Sequence, residues 1–372
     1  MSELRASRLL SDFIQREYVA WTGRGSSAMY ALLKTMDYRE RQIVVPNNIC
    51  WSVIATVILS GNEPYFVDID NRSQSISPEE LEKIALPHGT IIIYPHMYGI
   101  CHRIEEISLI CNRKGWFLLE DCAPSLGSRT NGTPAGCFGE ASIFSFGLGK
   151  IIDCGGGGAI AVNDRSLHES ISKTLSTLPG RPDEFELQNR LYSALFKHLY
   201  QLPIEKVDLS PMYLALVQTF RSTFVFHMED PGLVDISLAL EKLDENIRQR
   251  LANAAKFEKL FSEAGIPVMP YPDGSVYWRL NIFFPETERN TLLAVLHANN
   301  LNASSWYPPA DLCYKPRAST ELDRYPNSDR VGRQILNFWV NDEIDEQYIN
   351  TVSRIVIEHF VKSTASSKNR QT

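Results

Sequence analysis

The chain has 372 residues, of which 44% are hydrophobic and 22% charged, and its formal net charge is −7. This length is enough for a large domain and a smaller one. The acidic balance leaves no basic stripe, so nucleic-acid binding is not expected. No apolar run approaches the roughly twenty residues of a membrane span, and the N-terminus has no signal-peptide core. We therefore expect a cytoplasmic protein with small-molecule chemistry.

The cysteines support the same compartment. They are odd in number, scattered, and without paired CxxC spacing, which favours reduced thiols over disulfides or a bound metal. No metal site is expected. The seven are Cys50, Cys101, Cys111, Cys122, Cys137, Cys154 and Cys313.

The first informative stretch is a glycine-rich turn after a strand predicted over Tyr18–Trp21. Gly25, Ser26 and Ser27 precede a helix predicted over Ala28–Met36. Small hydroxyl residues at a helix N-terminus form an anion site from backbone N–H groups, side-chain donors and the helix dipole. A phosphate would fit there.

Two other interpretations of this turn stay open. Ser26 could simply cap the helix, a contribution of about 1 kcal/mol. The letters GRGSSA also match a GxGxxA dinucleotide fingerprint and hence an oxidoreductase. That is weakened because the next strand, Gln42–Pro46, carries no acid at its end for a ribose.

Strands and helices then alternate, which predicts a parallel sheet with crossover helices. The predicted elements are helix Cys50–Ser60, strand Pro64–Asp68, helix Glu79–Ile84, the strand in TIIIYP, helix Arg103–Lys114 and strand Trp116–Asp121.

The last of these strands, WFLLED, ends in two acids, Glu120 and Asp121. In open α/β sheets the ligand lies outside the carboxyl ends of the strands, so one of these acids is placed at a site. Capping of the following turn is the alternative.

Lys150 lies between two apolar, strand-like runs, Ala141–Phe146 and Gly158–Val162, beside four consecutive glycines. The glycines allow positive φ and close approach of a bulky group. A partly desolvated lysine becomes a competent amine nucleophile, able to form a Schiff base. The alternative is a solvated loop lysine. A phosphate-type turn, a strand-end acid and a loop lysine at successive strand ends of one sheet favour the catalytic interpretation.

Several motifs, in order and spacing, resemble the DegT/DnrJ/StrS family of pyridoxal-phosphate-dependent sugar aminotransferases. The resemblance implies a fold type I α/β architecture: a large domain with a mostly parallel central sheet and a smaller α+β C-terminal domain. We expect the large domain over 1–232, a connecting helix and small domain over 233–362, and a polar tail over 363–372. The motifs are GRGSSAMYALL, VVPNNICWSVIATVILSGNEPYFVDID, PHMYG, LLEDCAPSLGS, GTPAGCFGEASIFSF and GKIIDCGGGGAIAVND.

The resemblance also implies roles for individual residues. Lys150 would form the Schiff base with pyridoxal 5′-phosphate and shuttle a proton, and Asp121 would keep the pyridine nitrogen protonated, so that the ring acts as an electron sink. Several donors on the phosphate would fix the cofactor's orientation. These donors would come from Gly25, Ser26, Ser27 and Ser145.

Other positions depart from the family pattern. Pro124 stands where a glutamine is common. The aromatic residue expected over the cofactor falls at Cys50, or at Trp51 if the alignment slips by one; ordinary helix packing is the alternative for Trp51.

Substrate-side positions depart as well. His227 lies where an asparagine and an arginine usually reach the neighbouring subunit's cofactor, and it is otherwise a structural histidine. Trp306, followed by Tyr307, replaces a usual histidine in the substrate loop.

The segment 166–232 diverges from the family and is expected to be a mostly helical insertion or interface. Within it, 189–228 is apolar and aromatic with scattered basic residues. Helices covering the cofactor domain are the favoured interpretation, and an interfacial membrane contact for a lipid-linked substrate is the other. Flotation with anionic liposomes distinguishes the two.

The sequence therefore predicts a homodimeric aminotransferase that moves an amino group, with L-glutamate as the implied donor, to a keto sugar that is nucleotide-linked. The context would be cell-surface polysaccharide or secondary-metabolite biosynthesis. The alternatives are another amine or keto substrate, and a regulatory pyridoxal-phosphate-binding protein without turnover. The retained Lys150 argues against the latter and against the family's dehydratase branch, which carries a histidine there.

Overall fold

The computed structural model describes residues 2–201, 208–228, 230, 232–315, 317, 321 and 323–368. Its main feature is a seven-stranded sheet of order β1-β9-β8-β5-β4-β2-β3, in which only β9 runs antiparallel to its neighbours. A short hairpin, β6 and β7, lies beside it. The strands are β1 (Tyr18–Thr22), β2 (Gln42–Pro46), β3 (Glu63–Val67), β4 (Ile91–Pro95), β5 (Phe117–Asp121), β6 (Arg129–Thr130), β7 (Thr133–Pro134), β8 (Ala141–Ser145) and β9 (Gly158–Val162).

Helices cover both faces of this sheet, and for that reason β4 and β9 are buried along their whole length. One apolar cluster joins a face to α1, α5 and α9, and a second joins the other face to α2, α3, α6, α7 and α8. The helices are α1 (Ser2–Ile14), α2 (Gly25–Thr35), α3 (Trp51–Leu59), α4 (Pro78–Glu82), α5 (Ile104–Lys114), α6 (Arg165–Ser176), α7 (Phe185–Gln201), α8 (Ser210–Thr219) and α9 (Leu233–Glu241).

The C-terminal part forms a separate core around a three-stranded sheet of order β10-β12-β11. The elements are α10 (Leu243–Glu263), β10 (Leu280–Phe283), α11 (Glu286–Ala298), β11 (Ala303–Ser304), α12 (Asp311–Tyr314), α13 (Pro326–Gln334), β12 (Ile335–Phe338) and α14 (Glu346–Lys368). The predicted fold class, a mostly parallel sheet with a smaller α+β part, is confirmed. The domain boundaries themselves stay predictions.

Two local predictions need correction, and one helix was not predicted. The long helix expected after 233 is two helices, because Lys242 leaves helical geometry between α9 and α10 (φ −100°, ψ 7°). Helix α1 was not predicted. The final helix runs to Lys368, into the expected polar tail. Among the helices that the structure describes, none is long and apolar enough to cross a membrane.

Strand β10 begins only at Leu280, because the main chain of 276–278 pairs with another part of the chain. The N–H of Val276 donates to Gly99 O at 3.1 Å, and that of Trp278 donates to Tyr98 O at 3.0 Å. These bonds attach the C-terminal part to the loop after β4. Gly99 has φ +89°, and a Cβ built there would lie 1.6 Å from Val276 O. Only glycine permits this approach.

The variant Gly99→Ala is therefore expected to lose about 3 kcal/mol or more of unfolding free energy, because backbone strain adds to a collision with main-chain oxygen. Gly89→Ala is the matched control. It has φ +78° with nothing within 4 Å of the built Cβ, so only about 1 to 2 kcal/mol of strain is expected. Urea unfolding of both variants measures the difference; equal losses would contradict the steric argument.

Candidate active site

Asp121 is the last residue of β5, at the carboxyl edge of the sheet. It is buried, and its Oδ1 accepts a hydrogen bond from the N–H of Ala123 at 3.0 Å. Burial raises the pKa of this carboxyl group, while the positive charge of Lys150 opposes the rise. A cationic partner placed against Asp121 would therefore keep it ionised.

Lys150 follows β8, and thus the next carboxyl edge along the sheet from Asp121. Its side chain is half-buried, with Nζ 5.8 Å from the centre of the Trp278 ring. The main-chain N–H of Lys150 donates a hydrogen bond to Gly147 O at 3.2 Å. The hydrogen bonds described for this chain give Nζ no acceptor. The amine is thus available for chemistry in the place where the sequence predicts it.

Helix α2 begins at Gly25, and the preceding residue, Arg24, makes no side-chain capping bond. Ser26 is therefore the second helical residue, and the interpretation of Ser26 as the N-cap is wrong. The first N–H groups of a helix have no partner within it. A Cβ at Gly25 would lie 3.4 Å from Ser145 Cβ. Glycine thus brings this helix start close to the end of β8, as an anion site requires.

The hydroxyl groups of Ser26 and Ser27 have protein partners, which the sequence did not indicate. Both donate to Phe224 O, at 2.7 and 3.2 Å, and Ser27 Oγ accepts from the N–H of Phe226 at 3.1 Å. The divergent segment thus folds onto the helix start. A phosphate there would be held by backbone N–H groups, and by the hydroxyls once they turn from Phe224.

These groups fit the cofactor implied by the resemblance. The uncapped helix start suits a phosphate, Asp121 suits a protonated ring nitrogen, and Lys150 suits a carbonyl carbon. The structure places the start of α2, with Gly25, Ser26 and Ser27, next to Ser145 at the end of β8. Their contacts with a cofactor stay predictions.

Three aromatic side chains, Trp278, Trp306 and Tyr307, pack together as an aromatic wall, and the Trp278 ring is the one whose centre lies 5.8 Å from Lys150 Nζ. The Trp278 ring is parallel to Tyr307 (2°, centroids 6.2 Å apart) and nearly parallel to Trp306 (19°, 6.3 Å). The hydroxyl of Tyr98 donates to Trp306 O at 2.8 Å and fixes the loop. Trp306 is 45% exposed. Trp306 and Tyr307 were predicted on the substrate side, whereas Trp278 was missed because nothing local distinguishes it from a core tryptophan.

Trp51 and Cys50 are the two positions at which an aromatic residue over the cofactor was expected. Trp51 is buried with its ring 5.6 Å from Tyr213 and 6.0 Å from Phe196, which supports the helix-packing interpretation. Cys50 is the N-cap residue of α3, and its Sγ lies 3.1 Å from Ser52 Oγ. A cofactor contact by Trp51 stays a prediction without a structural observation behind it.

His227 is held by its main chain to the loop before α7. Its N–H donates to Pro179 O at 2.7 Å, and its carbonyl accepts from the N–H of Arg181 at 3.2 Å. These bonds fix only the main chain of His227, whose side-chain Nδ1 is buried without a hydrogen-bond partner among the described residues, so a site role for this side chain stays a prediction. In the predicted membrane-contact segment 189–228, α7 and α8 contribute Leu199, Tyr213 and Val217 to the second apolar cluster, and residues 202–207 lie outside the described residues.

A buried ion pair lies next to Asp121. Glu120 Oε2 is 2.9 Å from His96 Nε2, and the Glu120 carboxylate also accepts the N–H groups of Gly136, Phe138 and Gly139 at 2.6 to 2.8 Å. Burial favours the neutral acid, but the histidine and the amides outweigh it and lower the pKa of Glu120.

Burial likewise opposes charge on His96, yet the cysteine thiols and Glu120 raise the pKa of the imidazole well above its usual value. His96, Glu120 and Cys122 lie close enough for a metal. We assign no metal site there, because the Glu120 carboxylate already accepts hydrogen bonds from His96 and from three main-chain N–H groups.

The variant His96→Gln should therefore lose about 3 kcal/mol of unfolding free energy where both groups are charged. The raised pKa of His96 makes its contribution complete below the unfolded value of about 6.5 and smaller as pH rises above it. The lowered pKa of Glu120 makes its contribution complete above about 4.3. Urea unfolding from pH 4.5 to 9 should show the largest difference from wild type near pH 5 to 6; a difference growing toward pH 9 would contradict the charged pair.

Comparison with known proteins places this site in context. The sequence model of the DegT/DnrJ/EryC1/StrS aminotransferase family matches residues 5–190 and 234–357. The chain is 26% identical to the GDP-perosamine synthase of Vibrio cholerae, over 88% of this chain and 82% of that protein. It is 24% identical to the dTDP-4-dehydro-2,3,6-trideoxy-D-glucose 4-aminotransferase of Saccharopolyspora spinosa, over 94% and 86%.

The fold is shared with solved structures. The crystal structure of NtdA from Bacillus subtilis, which holds its cofactor PMP, superposes with a TM-score of 0.74 at 18% identity, over 96% of this chain and 77% of that one. The family match covers most of the chain and includes Asp121 and Lys150. The chain therefore belongs to the DegT/DnrJ/EryC1/StrS aminotransferase family and is a transaminase that uses pyridoxal 5′-phosphate.

Proposed function

We propose that this transaminase moves an amino group from an amino acid, with L-glutamate as the expected donor, to a nucleotide-linked keto sugar. The observation that carries the proposal is the aromatic wall beside Lys150. Flat rings suit the apolar face of a sugar and the face of a nucleotide base, and ligand sites are commonly lined in this way. The names of the two curated relatives, both sugar-nucleotide enzymes, support the same substrate class.

The residues of the site have distinct tasks in this proposal. When bound, the cofactor supplies an electron sink for the substrate carbon that loses its proton. Lys150 Nζ would hold the cofactor covalently, and the same nitrogen would take and return the proton at that carbon. Asp121 accepts the hydrogen bond of the ring N–H and keeps that proton in place. The α2 start, with Ser26, Ser27 and Ser145, binds the phosphate.

We also propose a homodimer, in polysaccharide or secondary-metabolite biosynthesis. Leu148, two residues before Lys150, is 76% exposed in the single chain. A large apolar side chain so close to the site favours coverage by a second copy. Light scattering of the purified protein measures the oligomer size.

The spectrum of the protein incubated with pyridoxal 5′-phosphate tests the reaction. Wild type should show the absorption of a lysine-bound cofactor, and L-glutamate should convert it to the aminated form, which a nucleotide-linked keto sugar should discharge. Lys150→Ala should show neither step, because no amine attaches the cofactor. Lys256→Ala, an exposed lysine of α10, is the matched control and should behave as wild type.

Other outcomes of this spectroscopic test would support a different function or contradict the assignment of Lys150. A cofactor that attaches through Lys150 but is aminated by no amino acid would support the regulatory alternative. Discharge by simple keto acids and not by keto sugars would support a different keto substrate. Attachment that survives Lys150→Ala would contradict the assignment of the lysine.

The exposed member of the wall offers a test of the substrate class. Trp306→Ala should raise KM for the sugar nucleotide about tenfold, because one stacked contact is lost. Trp306→Phe keeps a flat ring and should retain most of the affinity. Steady-state kinetics with both substrates varied measures this; an equal rise in KM for glutamate would argue against a role in binding the sugar nucleotide.

A further inference from the structure

Two buried arginines, Arg250 of α10 and Arg279 just before β10, lie against the loop 147–154 that carries Lys150, here called the lysine loop. Each is only 2% exposed. Neither forms an ion pair with a carboxylate of the described residues. Burial lowers the pKa of Arg250 to about 10 and, together with the charge of Arg250, that of Arg279 to about 9. Buried cations without an acid are costly, so their hydrogen bonds matter.

Those hydrogen bonds converge on the lysine loop. Arg250 Nη2 donates to Lys150 O and to Ile151 O, both at 3.2 Å. Arg279 Nη2 donates to Gly149 O at 3.3 Å, and Trp278 Nε1 donates to the same oxygen at 2.6 Å. Three consecutive carbonyl groups, centred on the lysine, are thus held by side chains from the C-terminal part of the chain.

The surrounding structure leaves the arginines little freedom. Arg250 Nε donates to Asn246 Oδ1 at 2.7 Å, one turn earlier on α10. The Arg279 guanidinium is sandwiched between indole rings, 4.5 Å from Trp278 and 4.1 Å from Trp339. Gly149 has φ +73°, and a Cβ there would lie 3.1 Å from Arg279 Nη2. The glycine therefore lets the guanidinium approach the main chain closely.

We propose that Arg250 and Arg279 are positioning residues that fix the main chain of Lys150, so that its amine meets the cofactor's carbonyl carbon and the substrate proton in one geometry. The proposal rests on the function assigned to Lys150 above. A loop with glycines on both sides of the lysine is intrinsically mobile, so it needs an external constraint. A misplacement of about 1 Å in a catalytic group can cost on the order of 100-fold in rate.

The test replaces each arginine by methionine, which keeps the apolar stem. The matched control is Arg289→Met. Arg289 is also a buried arginine of the C-terminal part, 5% exposed, but it donates to Ile335 O at 3.2 Å and not to the lysine loop. Arg248→Met, on the exposed side of α10, controls for loss of charge. Arg250→Lys keeps a donor and is used if the methionine variant does not fold.

Hydrogen–deuterium exchange of 147–154 in the cofactor-free protein is the first readout. Arg250→Met and Arg279→Met should exchange about tenfold faster there than wild type, because the loop opens locally. In the loaded enzyme kcat should fall on the order of 100-fold with KM nearly unchanged, since alignment rather than binding is lost. Arg250→Lys should recover part of both effects.

The controls decide between positioning and general stability. If Arg289→Met, at a similar loss of unfolding free energy, accelerates exchange of 147–154 and lowers kcat equally, the proposal is overturned. It is also overturned if both arginine variants leave the exchange unchanged. Should wild type fail to attach the cofactor at Lys150, the proposed function fails by itself, while the exchange data still decide whether the arginines hold the loop.

Discussion

The buried carboxylate of Glu120 is the interaction on which the site's geometry depends. It accepts hydrogen bonds from the N–H groups of Gly136, Phe138 and Gly139 and pairs with His96, and Arg16 Nη2 lies 3.8 Å from its Oε1. A buried charge of this kind is stable only when its partners are in place. It therefore fixes the end of β5, where Asp121 follows directly, and the loop that leads into β8. Lys150 stands at the end of that next strand.

The C-terminal part supplies side chains of the candidate site that the large sheet does not provide. It contacts the loop after β4 through Gly99 and Val276, and it supplies Trp278 and the two arginines beneath Lys150. The acid and the amine thus come from one sheet, whereas the side chains that confine the amine lie 100 or more residues further along the chain than Lys150. Correct packing between the two parts is a condition for the site to form.

The strand-end residues were predictable because parallel topology alone brings Ser26, Asp121 and Lys150 to one edge once the alternation of strands and helices is recognised. The arginines and Trp278 were not, since their partners are main-chain carbonyl groups, which leave no mark in a sequence. The contact of Phe224 with the serines was missed for the same reason. Trp51 shows the reverse case, in which a conspicuous residue type packs in the core.

The Trp278 side chain lies between the other two residues of the aromatic wall and the loop that carries Lys150. Its ring face contacts Trp306 and Tyr307, while its Nε1 donates to Gly149 O and Arg279 lies against it. Because protein interiors are close-packed, a shift of this ring on one side displaces the groups on the other. If the sugar nucleotide binds against the wall as proposed, it would therefore also act on the main chain beside Lys150. Trp306 is the exposed member of the wall, so its substitution is expected to change binding with the least disturbance of the amine.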